Sequence, residues 1–128
     1  MGRRFYEASG YRDITEFDSG SLENTLRNSG AILLVAEKDG LVGMAGALVY
    51  PFYFNASHLT AQEIFWWVDP EHRGIGSLLF DALLEEVKKS GAQSLSMIAL
   101  ESLNPERVGS FYQARGFKPS DRSFIRRI

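Results

Sequence analysis

The chain has 128 residues, of which 45% are hydrophobic and 23% charged, with a net charge of −2. That length and balance suit one domain around one core, and the charge excludes a globally basic nucleic-acid binder. There is no cysteine, which excludes disulfides, thiolate metal sites and a cysteine nucleophile and is compatible with the cytoplasm. The N-terminal stretch MGRRFYEASG lacks the apolar segment of a secretory signal. No apolar run approaches the roughly 20 residues that span a bilayer. The expectation is a cytoplasmic protein with no membrane and no nucleic-acid partner.

In chain order, RRFYEAS reads as a short helix ending at Gly10, and residues 21–30 as a second, with Ser21 as N-cap and Gly30 at the C-cap. AILLVAE (31–37) is a candidate buried strand, and Lys38-Asp39-Gly40 a hairpin signal leading to a returning strand over 41–50. Two interior glycines in that strand suggest a bulge or a close backbone approach. Residues 51–60 read as an aromatic loop and QEIFWWV (62–68) as a strand. The clearest helix runs from Ser77 to Ser90, with Leu79, Leu83 and Val87 on one stripe, widened by Phe80 and Leu84. SLSMIAL (94–100) is a further strand. Residues 104–116 form a helix with Asn104 as N-cap, Pro105 in the first turn and Gly116 as C-cap. The tail, SFIRRI, reads as a closing strand. The order predicts a mixed α/β sheet of about five or six strands.

Arg73-Gly74-Ile75-Gly76 lies between a strand and that clearest helix. A helix start leaves N–H groups free, with partial positive charge behind them, and glycines let a phosphate approach the backbone. A tight turn alone would also account for two glycines. A Walker loop is excluded because no Gly-Lys-Ser/Thr follows, and a dinucleotide fingerprint because the third glycine is missing. No His/Asp/Glu spacing suits a metal, so none is expected.

Two blocks carry a resemblance. Val68-Asp69-Pro70-Glu71-His72-Arg73-Gly74-Ile75-Gly76, followed by the leucine-rich helix, resembles the acetyl-CoA signature of the GNAT family of N-acetyltransferases, roughly Val-x-Pro-x-x-Arg-Gly-x-Gly-x-Gly. Asn104 with Phe111-Tyr112-Gln113-Ala114-Arg115-Gly116-Phe117 is similar to that family's Asn…Tyr-x-x-x-Gly-Phe close. The resemblance covers about residues 31–118. It divides one acetyltransferase-like domain, 1–128, into a short atypical helical part, 1–30, and a core, 31–128. Ile75-Gly76-Ser77-Leu78 runs straight into the helix where the family usually has another glycine.

The resemblance implies a mixed, mostly antiparallel sheet with a central V-shaped splay flanked by helices. It implies direct transfer of an acetyl group from acetyl-CoA to a small-molecule or peptide primary amine. The CoA arm would pair with the backbone of Trp67, Val68 and Asp69. Its diphosphate would sit on the amides of Arg73, Gly74, Ile75, Gly76 and Ser77, with Asn104 beside the arm. Tyr112 matches the family's general acid, unless it merely packs on the sheet, and some members place a base where Glu63 stands. Glu63 is either that base or a solvated strand end, and strict alternation would put it on one face with Phe65 and Trp67. His58 and His72 are weaker candidates, for the acceptor and for a CoA phosphate. The aromatics of YPFYF (50–54) are either core or pocket wall. The rival reading is a non-catalytic CoA- or phosphate-binding sensor or partner-binding module. An exposed last strand would offer an edge for a homodimer.

Overall fold

The computed structural model describes residues 1–128. Two short helices, α1 (Gly2–Ser9) and α2 (Ser19–Leu26), lead into three antiparallel strands, β1 (Ala31–Glu37), β2 (Leu41–Phe52) and β3 (Asn55–Val68). After a 3₁₀ segment over Pro70–Ile75 come α3 (Gly76–Lys89), β4 (Ser94–Ser96) and α4 (Pro105–Ala114). The sheet order is β1-β2-β3-β4, with β4 parallel to β3.

Local chemistry explains most boundaries. Gly10 ends α1 at φ 84°, a left-handed conformation that costs glycine little. The α2 cap is Asp18 rather than the expected Ser21: Asp18 Oδ1 accepts from the Gly20 N–H, while Ser21 donates to Asp18 Oδ2. Gly30 is not that helix's cap but a close approach, since a Cβ there would lie 2.3 Å from the Val49 carbonyl oxygen. Gly30→Ala is therefore expected to lower stability by about 2–3 kcal/mol, because backbone has to move. A urea titration against the parent chain checks it.

β2 is one of the two interior strands, and its small residues let helices approach from both sides. Ala45 and Ala47 join Ala61, Val68, Leu79, Leu83 and Val87 in one cluster beneath α3. On the opposite face Met44, Phe65 and Trp67 pack with Phe5 of α1. Phe80 and Leu83 are fully buried, each contributing roughly 1.5–3 kcal/mol of transfer free energy. The glycine expectation for β2 holds at Gly46, where the Phe65 ring lies 2.8 Å from an added Cβ and the β2–β3 register slips.

Several expectations are corrected. β1 is an edge strand rather than a buried one, with Leu33 and Val35 45% and 48% exposed on its outer face. Residues 51–60 are no loop: β2 and β3 continue as a hairpin that turns at Tyr53-Phe54. Those two aromatics are 80% and 82% exposed, and none of residues 50–54 lines the main cavity, so YPFYF is neither core nor pocket wall. β4 is three residues long rather than seven, and residues 117–128 form no strand. The sheet therefore has four strands.

Candidate active site

β4 pairs with β3 only from Thr60↔Ser94 to Gln62↔Ser96. Beyond that point no backbone hydrogen bond joins residues 64–68 to residues 97–103. The strands part, and one edge of β3 is left with free N–H and C=O groups. A cavity of about 580 Å³ opens in the gap, within the usual range of small-molecule sites, roughly 300–1,000 Å³.

Glu63 and Tyr112 meet at the apex of this splay. Glu63 Oε2 accepts from the Ile98 N–H at 2.6 Å, and the Tyr112 hydroxyl donates to the Ile98 carbonyl at 2.8 Å. Both side chains thus hold the same peptide segment, two residues past the end of β4. Glu63 Oε1 accepts nothing from the protein, yet no buried polar atom is left unpaired, so this oxygen opens onto the cavity. Glu63 is 6% exposed. Burial pushes its carboxyl up to about 7, against the lowering effect of the Ile98 N–H. Burial, then the nearby Glu63 charge, raises Tyr112 above the ordinary phenol range. The phenol keeps its proton at neutral pH.

The alternation expected for β3 fails at Glu63. Gly46 pairs with Phe65 and Ala47 with Glu63, so Ile64 is an extra residue. Ile64 and Phe65 both pack toward the α1 side, whereas Ala61, and Glu63's partner Ala47, belong to the cluster beneath α3. The bulge re-aims Glu63 into the gap, away from the face of Phe65 and Trp67.

Trp67, Val68, Arg73, Gly74, Gly76, Ser77 and Asn104 all line the cavity. Asp69 and Ile75 do not. Asp69 receives the Arg4 guanidinium and the Trp67 indole N–H on its carboxylate, and its own N–H donates to Val42. Ile75 packs beneath α3. The glycine turn winds as 3₁₀, so the Gly76 N–H is bonded to the Arg73 carbonyl. No side chain caps the start of α3. Arg73 lies 4.8 Å over the Trp67 ring. Asn104 accepts from the Arg107 N–H and caps α4, as expected. His58 contacts Ser94 and Phe52, and neither it nor His72 lines the cavity.

Sequence reasoning missed Phe5, Tyr11, Ile98 and Arg107, which also line the cavity. Arg107, a cation in the first turn of a helix beginning at the cavity, carried a readable signal. Tyr11 and Phe5 reach the site only through tertiary packing of the N-terminal part. Neither Arg73 nor Arg107 has an acidic partner.

The acetyltransferase (GNAT) family model matches residues 3–117, and the chain belongs to that family. The match includes most of the N-terminal part that reads as atypical in sequence. No curated protein matches the chain. Among solved structures it is similar to an aminoglycoside acetyltransferase from an uncultured soil metagenomic sample, in complex with trehalose. The TM-score is 0.74 and the identity 18%, over 98% of this chain and 84% of that one. It is also similar to a ribosomal-protein-alanine N-acetyltransferase from Brucella melitensis biovar Abortus, at TM-score 0.69 and 23% identity, over 94% and 86%. A third, AAC(6')-Iy in complex with the bisubstrate analogue CoA-S-monomethyl-acetylneamine, gives TM-score 0.67 and 21% identity, over 88% and 81%. These likenesses are likenesses of fold, over 88% to 98% of this chain. No helix is long and apolar enough to cross a membrane.

Proposed function

We propose that the chain is an acetyl-CoA-dependent N-acetyltransferase acting by direct transfer on a primary amine, small-molecule or peptide. The observation that carries this reading is the convergence of Glu63 and Tyr112 on Ile98 inside the splay cavity. The residues present fit the cosubstrate. The free edge of β3 offers unpaired backbone groups to the amides of an extended arm, as an added strand would. Trp67 and Val68 lie along that edge. Arg73 and Arg107, both without acidic partners, stand where a diphosphate would reach the start of α3, beside Gly74, Gly76 and Ser77. Asn104 holds the start of α4 against the same cavity.

Acetyl-CoA, when bound, supplies an activated acyl thioester. Glu63 Oε1 then takes the proton from the incoming ammonium, directly or through a water, since a carboxyl titrating near 7 is matched to that task. The freed amine nitrogen bonds to the acetyl carbon as the C–S bond breaks. The Tyr112 hydroxyl gives its proton to the departing sulfur and is reprotonated by the second proton the nitrogen sheds. At rest the Tyr112 hydroxyl donates to Ile98, so delivery needs only rotation of the O–H.

The test combines binding and turnover. Acetyl-CoA at 100 times its dissociation constant is expected to stabilise the chain by about 2.7 kcal/mol, read as a rise in melting temperature. Free thiol is expected to appear only when an amine is added. Stabilisation without amine-dependent thiol release would favour the sensor reading, and no stabilisation at all would end both.

A further inference from the structure

Resting on that proposed function, we infer that the acceptor is a small primary amine with a single positive charge on an apolar or aromatic body, selected by Tyr11. The cavity has two unlike walls. One is polar and basic, with Arg73, Arg107, Asn104 and the start of α3. The other is the N-terminal cluster: Phe5, Tyr11, Ile64, Trp67, Leu100 and Leu103 belong both to that cluster and to the cavity lining. Phe5 lies edge-on to Tyr11 and Trp67, at centroid separations of 6.2 and 6.4 Å.

On this second wall the ionisable and hydroxyl-bearing groups are few. Glu63 is the one carboxylate lining the whole cavity. Asp69, the nearest buried acid in sequence, is already held by Arg4 and Trp67. The Ser102 hydroxyl donates to the Ala8 carbonyl. Tyr11 lines the cavity, and its hydroxyl makes no hydrogen bond within the protein. Burial, and after it the Glu63 charge, raises its pKa.

A second ammonium would lose hydration in the cavity with no second carboxylate to pair with, and would meet the like charges of Arg73 and Arg107. One ammonium satisfies Glu63, and an aromatic or alkyl body covers Phe5 and Tyr11. Size points the same way, because the 580 Å³ must hold the thioester end of one substrate as well as the amine.

The experiment compares thiol release with 2-phenylethylamine, tryptamine and spermidine, alongside the acetyl-CoA melting shift. At least a tenfold advantage in kcat/KM for the aromatic monoamines over spermidine supports the inference. Equal or reversed preference overturns it and leaves acetyl transfer standing. Binding of acetyl-CoA without turnover of either monoamine also overturns it. Absence of the acetyl-CoA shift instead removes the proposed function itself. Tyr11→Ala is expected to raise KM for the monoamine about tenfold, with KM for acetyl-CoA unchanged, while Tyr11→Phe keeps most of the ring contact. A merely structural role would move both KM values, or the melting temperature alone, in the two variants, and that result counts against Tyr11 as the selecting residue.

Discussion

Replacing Glu63 with glutamine is expected to lower kcat/KM by about 10²–10⁴, the usual range for loss of a general base. The substitution is nearly isosteric, and its amide oxygen can still accept from the Ile98 N–H, so the splay keeps its geometry. What disappears is the open Oε1 as a proton acceptor. In the parent enzyme the rate is expected to rise with pH and level off above about 7, following the carboxyl's titration. The variant should show no such break. If both proteins show the same break, the proton acceptor is another group.

The same carboxyl gives stability a pH dependence of definite sign. Its folded pKa, about 7, lies above the ordinary value of 4.5. Between those two values the folded chain holds a proton that the unfolded chain has released. Stability from this group is therefore fully present below 4.5, falls as pH rises, and levels off above about 7. The loss is on the order of 3 kcal/mol. Glu63→Gln removes it, so the variant should gain on the parent chain between pH 5 and pH 8 in chemical denaturation.

Tyr112→Phe carries the second large effect. Turnover is expected to fall by about 10²-fold, through loss of the general acid. Stability should drop by roughly 1–2 kcal/mol, because the Ile98 carbonyl loses its donor. The break near pH 7 should survive, since it belongs to Glu63. Affinity for acetyl-CoA should be nearly unchanged, as the proposed binding contacts lie along β3 and the start of α3. A variant that turned over at the parental rate would assign Tyr112 to packing alone. Its ring does pack, against Trp66 at 6.0 Å and Phe117 at 5.7 Å.

The parts legible in the sequence are those coded locally. The α3 stripe of Leu79, Leu83 and Val87, and the α4 start at Asn104-Pro105, follow from periodicity and capping, and both helices lie where those signals put them. The Asp39-Gly40 turn likewise delivers β1 to β2. The hairpin tip was not legible because Tyr53-Phe54 carries no glycine or proline to mark a turn. The tail misled in the opposite sense: SFIRRI has strand-like residues, but a strand forms only where a neighbour offers a ladder, and none does here.

The site divides in the same way. Glu63 and Tyr112 were readable as chemical types in suggestive places. Their meeting at one peptide was not, because Ile98 has no signal of its own and the bulge at Ile64 is marked only by Gly46 on the opposite strand. Asp69 illustrates the converse. Its place in the signature suggested the arm's backbone, yet its carboxylate and N–H both serve the junction between α1, β2 and β3.

A crystal structure with CoA bound tests the central claim most directly. The arm is expected along the free edge of β3, with its sulfur within about 3.5 Å of the Tyr112 hydroxyl and the diphosphate near Arg73 and Arg107. CoA bound outside the gap between β3 and β4, or a sulfur with both Glu63 and Tyr112 turned away from it, would contradict the account.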